Sequence, residues 1–222
     1  MERFEREYFQ RVYEGQYDAR NPGYKHRAYL REVRRVAPAS GRLLEVGCAY
    51  GAFLREAERV FDVEGCDVSA HAVAVAATRV RSARVFRADI REIEGTSAYD
   101  AIACFDVLEH VPDLAEALQC LRRLLRPRGA LVVAVPVYDT PIGALVGYLD
   151  RDPTHVHKLS RYAWLERLQN AGFRIVSWKG IFRYHAGGRW YLHWCARVIR
   201  CCSPAVLIAC VTADDGDRAA ER

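Results

Sequence analysis

No apolar run in these 222 residues is long enough to span a bilayer. The longest, Ala130 to Val137 with Pro136 inside it and Ala205 to Val211, stop far short of the roughly 18 to 20 residues a spanning helix needs. The first ten residues, MERFEREYFQ, mix charges with aromatics and lack the apolar stretch of a secretory signal, so a cytoplasmic protein is expected. No pair of the eight cysteines has the C-x2-C spacing that puts two thiolates on one zinc. Cys48, Cys66, Cys104, Cys120, Cys195, Cys201, Cys202 and Cys210 are scattered through apolar segments, and the adjacent pair is too close for an ordinary bridge. All eight are expected to be free thiols used for packing. Internal repeats are absent, and 15 Gly with 8 Pro are too few for a collagen or linker. Acids are missing from Arg167 to Ala213, a stretch with seven basic residues, whereas 26 basic residues face 28 acidic ones elsewhere. The net charge of +5 therefore belongs to the C-terminal quarter.

With 51% hydrophobic and 27% charged residues the chain can bury a real core. Its length fits one domain over residues 1–222. Residues 1–40 read as a helical cap: apolar and aromatic positions recur at helical spacing, and Asn21-Pro22-Gly23 breaks them into two helices. From residue 41 the pattern alternates. Strands are expected at Leu43 to Val46, Val60 to Cys66, Ala83 to Arg87, Ala101 to Phe105 and Ala130 to Val135. Helices are expected at Ala52 to Arg59, Ala70 to Val80 and Leu114 to Leu125, the last capped by Asp113 with Glu116 three residues on. That rhythm predicts a doubly wound α/β fold: a seven-stranded, mostly parallel sheet with an antiparallel last strand. Beyond 136 the rhythm breaks. A loop-like stretch with the apolar piece Ile142 to Leu149 leads to a helix capped by Ser160. Strands follow at Phe173 to Trp178 and Ala205 to Thr212. Between these strands, Gly188 to Cys202 reads as an amphipathic helix, with Tyr191, Trp194, Cys195, Val198 and Cys202 on one face and Arg189, His193, Arg197 and Arg200 on the other.

The sharpest local signal is LLEVGCAYGAF, a strand running into a Gly47-to-Gly51 turn and a helix start. Such a turn lets the backbone approach a ligand while the helix N-terminus offers unpaired N–H groups. Asp67 follows the second strand, 20 residues after Gly47, where an acid can take both ribose hydroxyls. The turn resembles the E-x-G-x-G-x-G motif of class I S-adenosylmethionine-dependent methyltransferases of the small-molecule type, with Ala49 in place of the middle glycine. The later segments VFRADI, YDAIACFDVLEHVPD and LLRPRGALVVAVP arrive in that family's order, so the resemblance covers residues 41–136 continuously. It implies a Rossmann-like fold with S-adenosyl-L-methionine as cofactor and S-adenosyl-L-homocysteine as product. It also implies a cofactor site of Glu45, Gly47, Ala49, Gly51, Asp67, Val68, Asp89, Ile90 and Phe105. Within it, Val68 flanks adenine, Asp89 and Ile90 hold its amino group, and Phe105 is a wall. Residues 137–222 then supply the acceptor side.

Methyl transfer from a sulfonium needs an aligned nucleophile and a sink for its proton, or a metal that lowers its pKa. Glu109, His110 and His155, with His157 nearby, fall in loops at the sheet edge where α/β ligands bind. Asp106, Glu109, His110 and His155 also resemble the E-x-x-E-H and distant His that hold a divalent metal in small-RNA 2′-O-methyltransferases and related ubiquinone-pathway enzymes, although Asp replaces the first Glu. A general base, His110 ahead of His155, is preferred here to a metal. The expected acceptor is O, N or C of a small metabolite, and the basic quarter would suit an acidic one. The same quarter could lay Gly188 to Cys202 on an anionic membrane. An RNA 2′-hydroxyl is the second reading, disfavoured for want of an RNA-binding module. A non-catalytic cofactor-binding scaffold is the third.

Overall fold

The computed structural model describes residues 4–13, 15–149, 154–186 and 190–213. Three helices come first: α1 (Arg6–Tyr13), α2 (Tyr17–Arg20) and α3 (Gly23–Val36). The alternating part follows as β1 (Arg42–Val46), α4 (Leu54–Ala57), β2 (Asp62–Asp67), α5 (Ala70–Arg79), β3 (Arg84–Arg87), β4 (Tyr99–Phe105), α6 (Leu114–Leu124) and β5 (Leu125–Pro136). The chain then forms α7 (Pro141–Leu149), α8 (Arg161–Asn170), β6 (Phe173–Ala186), β7 (Trp190–Ala196) and β8 (Ala205–Thr212).

The helix starts are set by local chemistry. Ser69 Oγ accepts the Ala72 N–H at 3.1 Å to open α5, Asp113 takes the Glu116 N–H at 2.9 Å to open α6, and Ser160 takes that of Ala163 at 3.0 Å to open α8. In α6, Leu114, Ala117, Leu118, Leu121 and Leu124 fall on one face and are buried.

The strands form one sheet in the order β3-β2-β1-β4-β5-β8-β6-β7. The first five pair in parallel, and β8, β6 and β7 join antiparallel to their neighbours. Each face carries its own core. Leu118, Leu121, Trp164 and Leu168 of α6 and α8 cover one side; Tyr29, Val33, Leu54 and Ala76 of α3, α4 and α5 cover the other. The direction of connection reverses between β1 and β4, which opens a crevice at the C-terminal ends of those strands. Among the described residues no helix is long and apolar enough to cross a membrane.

The sheet has eight strands rather than seven, because the segment expected as an amphipathic helix is largely a strand. Trp190–Ala196 pairs with the far half of β6, which runs eight residues past Trp178. Cross-strand pairing overrode the helical spacing: Tyr191, His193 and Cys195 alternate with exposed Leu192 and Trp194, a period of two. His193 consequently leaves the basic face assigned to it. Arg200 lies outside, 5.0 Å over the Trp178 ring, and Gly188 and Arg189 fall outside the described residues. Three smaller differences accompany this. The cap has three helices, the expected Ala52 helix shrinks to one turn, and Pro141–Leu149 is helical. Cys201 and Cys202 are exposed and not packed, whereas Cys48, Cys66, Cys104 and Cys210 are buried.

Candidate active site

A cavity of about 320 Å³ lies at the crevice, floored by the ends of β1, β2 and β4 and roofed by the N-terminal helices. Of the residues expected to bind cofactor, Glu45, Gly47, Ala49, Asp67, Val68, Asp89, Ile90 and Phe105 all line it. Gly51 does not: a Cβ there would sit 3.3 Å from Ala76 and Val80, so this glycine serves the packing of the turn on α5.

The turn after β1 is left-handed at three positions, with φ of +73° at Gly47, +46° at Ala49 and +74° at Gly51. A side chain at Gly47 would run into Val107; the neighbouring loop therefore already demands glycine there. Ala49 carries a Cβ in a conformation that favours glycine. The Asp67 carboxylate holds it there, accepting the Ala49 N–H at 2.9 Å and the Ser69 N–H at 2.9 Å. Burial raises the Asp67 pKa, and those two N–H groups pull against the rise. Glu45 is buried, and its Oε2 has no hydrogen-bond partner among the described residues. Burial, then the Asp67 charge, pushes its pKa well above the carboxylate range. Asp89 is engaged by Arg91, whose Nε and Nη2 donate to it at 2.9 and 2.8 Å. That contact holds its pKa below the usual value.

The N-terminal segment closes over this floor. Glu5 accepts hydrogen bonds from Ser69 Oγ, Ala70 N and His71 N at 3.1 to 3.2 Å. Phe9 stacks on Tyr50 at 4.7 Å, and the Tyr50 N–H donates to the Tyr17 hydroxyl at 3.3 Å. Phe4 meets the His110 ring edge-on at 5.7 Å. Lys25, Asn21, Tyr13 and Tyr17 also line the cavity. Sequence reasoning named none of these as site residues, because no motif links the cap helices to the turn after β1.

Beside the cavity, Glu109, His110 and His155 place one ligand-type atom each within 4.8 Å of one another. His110 lines the cavity, while Glu109 is buried behind it. His110 Nδ1 faces Thr154, 2.9 Å from its hydroxyl and 3.2 Å from its carbonyl oxygen. His155 Nδ1 lies 3.3 Å from the Tyr138 hydroxyl, and the two imidazoles are 4.6 Å apart. His157 is tied to the Val111 carbonyl through Nε2 at 2.8 Å, a structural bond. Asp106 does not join this group. Its carboxylate forms a bidentate pair with Arg183 of β6, at 2.6 and 2.9 Å, and its own φ is +57°.

A mostly parallel sheet with a Gly-containing turn after β1, an acid ending β2 and the antiparallel β8 set between β5 and β6 is the Rossmann-like arrangement of class I methyltransferases. The chain belongs to the methyltransferase-domain family, whose pattern it matches over residues 18–178. Similar curated proteins include the ubiquinone biosynthesis O-methyltransferases of Xanthomonas axonopodis pv. citri, 29% identical over 66% of this chain and 68% of that one, and of Sinorhizobium fredii, 27% identical over 73% and 72%. The counterpart from Paracidovorax citrulli is 33% identical, but the match spans only 43% of its length. Among solved structures, a Thermotoga maritima S-adenosylmethionine-dependent methyltransferase superposes with a TM-score of 0.68 at 17% identity, covering 93% of this chain and 97% of that one. The magnesium protoporphyrin IX methyltransferase of Synechocystis PCC 6803, with bound S-adenosylhomocysteine, gives 0.64 at 16% identity, covering 94% and 98%.

Proposed function

We propose that this protein transfers a methyl group from S-adenosylmethionine to an oxygen of a small biosynthetic intermediate. The observation that carries the reading is the cavity at the β1/β4 reversal, with the Gly47 turn and Asp67 on one wall and His110 on another. The residues fit the cofactor. The partnerless oxygen of buried Glu45 suits its ammonium group, Asp67 retains lone pairs for ribose hydroxyls, and Ile90 and Val68 offer apolar walls to adenine. Gly51 supports the turn from behind. When bound, the cofactor supplies an electrophilic methyl group. The protein aligns the acceptor, excludes water with α1 and Tyr17, and takes the acceptor's proton on the His110 imidazole. The choice of oxygen rests on the named O-methyltransferase relatives. Calorimetry with S-adenosylhomocysteine and methyl transfer from isotopically labelled cofactor into cell extract test the reading; absence of both binding and transfer would refute it.

The convergence of Glu109, His110 and His155 favours a second way of activating the hydroxyl, by a divalent metal. Those three would hold it with O and N donors that accept Mg, Mn or Zn. Asp106, committed to Arg183, would take no part. The metal would lower the pKa of an acceptor hydroxyl.

A further inference from the structure

Beyond β4, α3 and the β6–β7 hairpin enclose a second polar cluster, which reaches the turn after β1 through His26, 6.4 Å from the Phe53 ring. Lys25, His26, Tyr29 and Asp106 line the same cavity, with Arg183 and His193 behind them. The Tyr29 ring lies 5.2 Å from His193 and 4.5 Å from Phe105. Lys25 is 6% exposed; its ammonium donates to Asn21 Oδ1 at 3.0 Å and otherwise sits 6.0 and 5.7 Å from the Tyr29 and Tyr191 rings.

Hydrogen-bonding capacity is left over at this spot. Both ring nitrogens of His26 and of His193, the Tyr29 hydroxyl and Arg183 Nε are all buried with no partner among the described residues. His26 is 6% exposed and Tyr29 fully buried, and buried polar groups in native proteins are as a rule paired. Burial keeps both imidazoles neutral: it drives His26 well down, and with Arg183 and Lys25 it takes His193 to about 3. Each imidazole therefore brings one N–H donor. Charge is left over as well. Arg183 holds the Asp106 carboxylate, and Lys25, whose pKa burial takes down to about 7, has no carboxylate in hydrogen-bond contact among the described residues.

We infer that Lys25, His26, Tyr29, Arg183 and His193 form an anion subsite for the methyl acceptor, and that the acceptor is a small aromatic acid whose carboxylate enters this cluster. The inference rests on the methyltransferase reading and adds the class of acceptor. One negative charge is what Lys25 lacks, carboxylate lone pairs are what the idle N–H and O–H donors lack, and the neighbouring walls are aromatic. Arg183 and His193, on β6 and β7, lie across β4 from Asp67 in the sheet, and Tyr29 packs on Phe105 of β4, which places this end of the cluster on the acceptor side.

The test uses the full chain saturated with S-adenosylhomocysteine and follows the binding of benzoate and phenylacetate against their neutral amides. The acids should bind at least about tenfold tighter, the margin of one charge-assisted contact. Lys25→Met and His193→Phe should remove that margin while S-adenosylhomocysteine affinity stays within about twofold of wild type. Tyr29→Phe and His193→Phe should also raise the melting temperature of the ligand-free protein, because each deletes a partnerless buried polar group. Equal binding of acids and amides, or binding of neither, overturns the inference. So does a loss of S-adenosylhomocysteine affinity with acid binding retained, which would assign the cluster to the cofactor's own carboxylate. Failure of wild type to bind S-adenosylhomocysteine would instead refute the methyltransferase reading.

Discussion

The Asp67 carboxylate accepts the Ala49 backbone N–H at 2.9 Å, tying the end of β2 to the turn after β1. Its other oxygen takes the Ser69 N–H at the start of α5, so one side chain shapes two walls of the cavity. Asp67→Ala should therefore cost more than a ribose contact. It should weaken S-adenosylhomocysteine binding by about 1.5 to 3 kcal/mol and lower the melting temperature of the free protein. Calorimetry and thermal unfolding on the same sample separate the two effects, and unchanged affinity would remove Asp67 from the site.

Ala49 and Gly47 should respond in opposite directions. Ala49→Gly relieves a left-handed alanine at φ +46° and should stabilise the protein by up to about 1 kcal/mol with binding intact. Gly47→Ala forces a Cβ onto Val107 and should destabilise by about 1 to 3 kcal/mol. Val107→Ala in the same chain should recover part of that loss, measured by denaturant unfolding. No recovery would mean that backbone strain alone dictates the glycine.

The Asp106–Arg183 pair gives a pH dependence of stability. Burial works against the Asp106 charge, but Arg183 and then Lys25 outweigh it and hold the pKa below the usual aspartate value. A depressed carboxylate stabilises the fold above its unfolded pKa, about 3.9, and loses that contribution as pH falls through the lower folded value. Unfolding midpoints should thus drop as pH is taken below about 4, and Arg183→Met should flatten this acid limb while lowering stability at neutral pH. An unchanged acid limb in the variant would place its origin in other carboxylates.

Chelator sensitivity separates the two ways of activating the acceptor. With His110 as base, His110→Ala should lose about 100- to 10,000-fold in turnover, cofactor affinity should hold, and chelator should have no effect. With a metal on Glu109, His110 and His155, chelator should abolish activity, added Mg, Mn or Zn should restore it, and Glu109→Gln should weaken metal binding. Full activity in both His110→Ala and His155→Ala would exclude both routes.

What the sequence determined by itself was local. Each strand of the parallel sheet, the caps Asp113 and Ser160, and the turn from Gly47 to Gly51 depend on residues close in the chain, where periodicity and turn chemistry act directly. The tertiary structure decided what depends on long-range pairing. It made Trp190–Ala196 a strand, because β6 extends far enough to offer it an edge. It turned Gly51 from the cavity toward α5, and it gave Asp106 to Arg183, 77 positions away, rather than to Glu109 and His110. The Lys25–His26–Tyr29–Arg183–His193 cluster has the same origin. Its members lie on α3 and a distant hairpin, no short motif joins them, and only the closing of the sheet beneath α3 brings them together.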